Sequence, residues 1–115
     1  MIVSTKDNFN SQDIDYLKKE LNAKNIAFYS ELGTLIAARA KNYFNKWYDT
    51  NTNVYYDNIR TDYIKEYTND EYIFTIYEEY IELCETGCQP LILSWYYVTK
   101  SNKDTEEEKD SIYLY

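Results

Sequence analysis

Carboxylates are the side chains through which this chain can do most. Glu71, Glu78, Glu82 and Glu85 stand at i, i+7, i+11 and i+14, and no Lys or Arg occurs between Lys65 and Lys100. On a helix these four positions form one stripe, about 21 Å long at a rise of about 1.5 Å per residue, opposite Ile73, Ile76, Tyr80 and Cys84. Ordinary surface helices intersperse the two signs, and this segment does not. Asp62 and Glu66, with Asp57, extend the negative field on the N-terminal side, and the segment after Asp104 adds Glu106, Glu107 and Glu108. An unneutralised acidic stripe can enter the basic groove of a nucleic-acid-binding protein and be steered there electrostatically. Pairs such as Glu78 with Glu82, or Glu82 with Glu85, can in principle hold a divalent cation or act as acid and base. Carboxylates at helical spacing are more often a solvated face, so no metal and no catalytic pair is expected from them.

Other chemistries lack their residue types. Histidine is absent, which removes Ser-His and Cys-His nucleophile pairs and histidine zinc sites. Gly33 and Gly87 are the only glycines, too few for a phosphate-cradling loop or a dinucleotide fingerprint. Cys84 and Cys88 are four apart. That is not the Cys-x-x-Cys of a redox pair, and they read as ordinary thiols. The expectation is a protein that is not an enzyme, carries no cofactor, and works by binding a macromolecule.

The elements that must position these carboxylates read as mostly helical. Ser11 to Lys24 has Asn10 or Ser11 as cap, Asp13 in the first turn, and Ile14, Leu17 and Leu21 on one face. Ser30 to Tyr48 carries Leu32, Leu35, Ile36, Ala40, Tyr43, Phe44 and Trp47 in a broad apolar stripe. Asp49 to Asn53 reads as a turn, and Val54 to Tyr67 as a third helix with Tyr56, Ile59, Tyr63 and Tyr67 in register, its β-branched and Tyr content leaving a strand start as the alternative. Thr68-Asn-Asp-Glu71 matches a capping box, which starts a helix from Asn69 to Thr86 with Gly87 as its stop. The rival reading is a strand from Tyr72 to Tyr77, because Ile-Phe-Thr-Ile-Tyr has high β propensity. After Pro90, Leu91 to Thr99 reads as a buried strand, Lys100 to Asp110 as a charged loop, and Ile112 to Tyr115 as a partner of that strand. The expected fold class is mainly α (α+β): one small helical domain, residues 1–115, with a minor C-terminal β element.

Charge is uneven along the chain. The net charge is −8, yet Met1 to Tyr48 has seven bases against five acids, while Asp49 to Tyr115 has five bases against fifteen acids. The second part repels nucleic acid and attracts a basic partner. The 15 Tyr, 4 Phe and 2 Trp argue for a folded chain despite its polarity. Many of the tyrosines stand at the core margin, and the rest offer rigid interface area. No apolar run suits a signal peptide or a membrane span, so a reducing, cytoplasmic setting is expected.

In size, acidity, tyrosine content and lack of catalytic residue types, and in the Glu71–Glu85 stripe, the chain resembles small phage-encoded inhibitors of bacterial defence, of the anti-CRISPR and anti-restriction kind. The resemblance implies an inhibitor that covers the basic surface of a nucleic-acid-processing enzyme, a CRISPR effector or another nuclease, in the host cytoplasm. It carries no family motif and implies no fold. Two other readings fit the same composition. One is an immunity protein or antitoxin that neutralises a basic toxin. The other is a homo-oligomer, such as a homodimer, with the Tyr43, Phe44 and Trp47 stripe as subunit interface.

Overall fold

A computed structural model describes residues 9–44, 57–83 and 91–115. It overturns the mainly helical expectation. A five-stranded antiparallel sheet dominates, and two helices pack on it. The elements in chain order are α1 (Ser11–Leu21), β1 (Ile26–Phe28), a short 3-10 turn (Tyr29–Glu31), α2 (Leu32–Phe44), β2 (Asp57–Thr68), β3 (Tyr72–Leu83), β4 (Leu91–Asn102) and β5 (Glu108–Leu114). Strands β2 to β5 form a meander, and β1 closes the far edge against β5, giving the order β1-β5-β4-β3-β2.

The first helix forms where the sequence places it. The Asn10 side chain accepts a hydrogen bond from the Asp13 backbone N–H at 2.8 Å, satisfying one of the free donors of the first turn. It ends earlier than Lys24, because Asn22 adopts a left-handed conformation (φ 52°) and its N–H turns back to the last carbonyls. Asn tolerates that conformation better than most residues. The second helix starts at Leu32, after the Glu31 carboxylate accepts from the Phe28 backbone N–H at 2.9 Å.

The segments read as the third and fourth helices are strands. The first of them, from Asp57 to Thr68, is β2, and the second, from Tyr72 to Leu83, is β3. Tyr and Ile are so dense here that an apolar residue falls at i+3 or i+4 whatever the true period, so helical matches are uninformative. What decides for β3 is burial on both sides; β2 is the exposed edge strand paired to it. Phe74 and Ile76 of β3 are buried beneath α1 with Val98, Ile112 and Leu114, while Ile81 is buried beneath α2 with Leu93, Trp95 and Tyr113. Successive strand residues point to opposite faces, so the sheet has an α1 face and an α2 face, each with its own core. A helix exposes one side to water and leaves half of these side chains outside. Thr68-Asn-Asp-Glu71 is correspondingly a hairpin turn and not a helix cap. The Asn69 side-chain Oδ1 accepts from the backbone N–H groups of Glu71 (3.0 Å) and Tyr72 (2.7 Å), and the Asn69 backbone N–H donates to the Tyr72 backbone carbonyl (3.0 Å). Asn serves both kinds of terminus through one chemistry.

The C-terminal β expectation holds in outline. The fourth strand runs on to Asn102 and the fifth begins at Glu108, so the charged loop shrinks to residues 103–107. The Asn102 side chain accepts from the N–H groups of Asp104 and Thr105, and Glu106 takes a positive φ of 58° to close the turn. The Lys103 N–H donates to the Glu71 carbonyl at 2.8 Å, which ties the two hairpin tips together. No helix among the described residues is long and apolar enough to cross a membrane.

Candidate functional site

Cross-strand register, and not helical spacing, decides which carboxylates meet. Asp62 of β2 lies directly opposite Glu78 of β3, and Glu78 lies opposite Tyr96 of β4. One step along the same face, Arg60 pairs with Tyr80 and Tyr80 with Ser94; one step further, Asp57 pairs with Glu82 and Glu82 with Ile92. Directly paired residues share a face, as do residues two apart on a strand. Asp62, Glu78, Glu82, Arg60, Tyr80, Tyr96 and Ile92 therefore form one patch on the α1 face. The helix itself covers the other end of that face, over Phe74, Ile76 and Val98. Neighbours across strands are about 4.8 Å apart, and successive positions along β3 are about 6.7 Å apart.

The patch is acidic and partly apolar. Asp62 is exposed, Glu78, Tyr80 and Glu82 are half-buried, and Ile92 is 65% exposed. No Lys or Arg forms an ion pair with Asp62 or Glu78 among the described residues. The Tyr80 hydroxyl hydrogen-bonds Glu78, and that bond holds its phenol above the ordinary tyrosine range; desolvation and the negative charges of Glu78 and Asp62 push the same way, against Arg60. Carboxylates directly opposite one another weaken a sheet, so the Asp62–Glu78 pair is expected to cost stability in the free protein.

The other expected site residues lie elsewhere. Glu71 sits in the β2–β3 turn, separated from Glu78 by seven residues of extended chain, about 23 Å. Glu66 pairs with Thr75 and belongs to the α2 face. Glu85 lies outside the described residues, as do Cys84, Cys88, Trp47 and Gly87. From Glu71 to Glu82 the expected helical stripe does not form, since Tyr72–Leu83 is a strand. The acids of residues 103–107 join Asp70 and Glu71 at the hairpin tips, away from the patch.

Sequence reasoning held Tyr80 and Tyr96 only among the many tyrosines that could show at an interface, and it overlooked Ile92 and Arg60. The alternation Glu78, Tyr80, Glu82 was the available signal, at period two. It also overlooked Glu79, which faces α2 and accepts a hydrogen bond from the Trp95 indole N–H at 3.1 Å. That carboxylate satisfies a buried ring nitrogen and is structural. No group of three or more His, Cys, Asp or Glu residues is placed to hold a metal ion among the described residues. No family model matches the chain, and neither the curated proteins nor the solved structures contain a match to it.

Proposed function

We propose that this protein is an inhibitor that binds the basic, nucleic-acid-binding surface of another protein through the patch of Asp62, Glu78 and Glu82. The carrying observation is the Asp62–Glu78 pair: two carboxylates set directly opposite each other, with no cation paired to either. Such a pair costs stability in the free protein and regains it when a Lys or Arg arrives. Tyr80, Tyr96 and the exposed Ile92 supply the apolar and ring area that bare charge lacks, as interfaces require. The surplus of acid over the chain, net −8, steers a basic partner from a distance. A nuclease of the host's defence is the partner class this reading favours. The charge ladder of a nucleic-acid strand is not required, because a compact acidic patch blocks a basic groove sterically as well as electrostatically.

The test uses the full chain as bait in bacterial lysate at low and moderate salt, beside the Asp62→Lys/Glu78→Lys variant. The expected result is salt-sensitive capture of a nucleic-acid-binding enzyme, lost in the variant, with the captured enzyme's nucleic-acid binding inhibited by the native chain alone. Capture that survives both charge reversals sinks the patch as the binding face.

A further inference from the structure

We propose that the cleft between the start of α1 and the β2–β3 turn is a receptor for one arginine side chain of a bound polypeptide. The cleft holds about 430 Å3 and is walled by Asp13, Tyr16, Tyr67, Asp70, Glu71 and Tyr72. That volume is of the size that takes small organic groups. Tyr16 and Tyr67 stack on each other at 4.1 Å between centroids, so one side of the cleft is a rigid aromatic wall.

The chemistry of the lining selects a cation. Three backbone donors beside the cleft are already used within the protein. The Asp13 N–H is taken by Asn10, and the Glu71 and Tyr72 N–H groups are taken by Asn69. Beside the neutral amides of Asn10, Gln12 and Asn69, the lining consists of ring faces and carboxylate oxygens, which attract cations. Two other lining residues, Asp13 and Tyr72, already bind a cation from within. The Lys100 ammonium lies 4.1 Å from the Tyr72 ring centroid and 3.1 Å from Asp13 Oδ2. Lys100 neutralises Asp13, whereas Asp70 and Glu71 form no ion pair among the described residues. These two exposed carboxylates at the mouth are the counter-charge for an incoming group.

A guanidinium suits this arrangement better than an ammonium. Its flat face stacks on tyrosine while its edge donates to a carboxylate, and it gives up water more readily. The cleft lies about 23 Å along β3 from Glu78, and the inference stands whether or not the sheet-face patch binds a nuclease.

The experiment is an NMR titration of the isotope-labelled full chain with N-acetyl-arginine amide, and in parallel with its neutral citrulline analogue. Saturable shifts confined to the backbone signals of Tyr16, Tyr67, Asp70, Glu71 and Tyr72 are expected for the arginine compound. Binding of the citrulline compound, and binding of arginine to Asp70→Asn/Glu71→Gln, are each expected to be weaker by about five- to tenfold. Both substituted side chains are exposed and hold none of the turn's hydrogen bonds, so the variant keeps the native spectrum elsewhere. Absent or unsaturable shifts, equal binding of the two compounds, or unchanged binding by the variant each overturn the proposal.

Discussion

Lys100 is the residue whose environment is most unusual. Its side chain is 6% exposed and its ammonium bridges Asp13, itself 12% exposed, at 3.1 Å. Phe9, Tyr72 and Phe74 present ring centroids at 5.6, 4.1 and 5.6 Å. The pair ties the first turn of α1 to the middle strand of the sheet, a connection that the hydrophobic contacts of Leu17 and Leu21 alone leave free to slide. Burial of an ion pair gives little net stability, but removal of one partner strands the other. Lys100→Met is therefore expected to cost about 3 kcal/mol, Asp13→Leu alone less because Lys100 keeps its other contacts, and the double variant recovers most of the Lys100→Met loss. Urea denaturation of the three variants measures the coupling. Additive losses refute the stranded-charge account and leave the helix cap and the aromatic contacts as the source.

At the scale of elements, the turns carry more information than the periods. Asn69 closes the β2–β3 hairpin with two side-chain hydrogen bonds. Asn69→Ala is expected to lower stability by about 1–2 kcal/mol, read as a lower urea midpoint at unchanged slope; an unchanged midpoint refutes a directing role for the turn. The same residue explains why the fold was only partly legible. Thr68-Asn-Asp-Glu71 is followed by residues that satisfy both a helical and a two-residue period, so a hairpin turn passes for a helix start. The segment from Leu91 was legible because Pro90 opens it and β-branched and aromatic residues fill it. The two helices before Asp57 were legible because each has one apolar stripe and a polar back. As for the site, Asp62, Glu78 and Glu82 were recognisable by their charge. That Asp62 meets Glu78 was not, because strand register depends on the Asn69 turn and on the shift between Tyr63 and Lys65. The Arg60, Tyr80 and Ser94 row follows from the same register and was equally hidden.

At the scale of the whole molecule, charge is set against stability. The two core clusters lie on opposite faces of one sheet, so both helices depend on the strands between them. Those strands carry the acidic patch on the part of the α1 face beyond Phe74 and Ile76. The net charge of −8 adds self-repulsion that a compact chain must overcome. Neutralising the patch should then stabilise the fold while it weakens binding. Asp62→Asn/Glu78→Gln keeps shape and removes two opposed charges, and is expected to raise stability by about 0.2–1 kcal/mol at low salt. Salt screens repulsion between exposed charges, so the urea midpoint of the native chain should rise with sodium chloride, and that of the variant should rise less. Capture of the basic partner should fall in the same variant. A loss of stability on neutralisation means that the carboxylates support the sheet through Tyr80 or another neighbour. Their arrangement is then explained by folding, and the case for a binding face at Asp62 and Glu78 is lost with it.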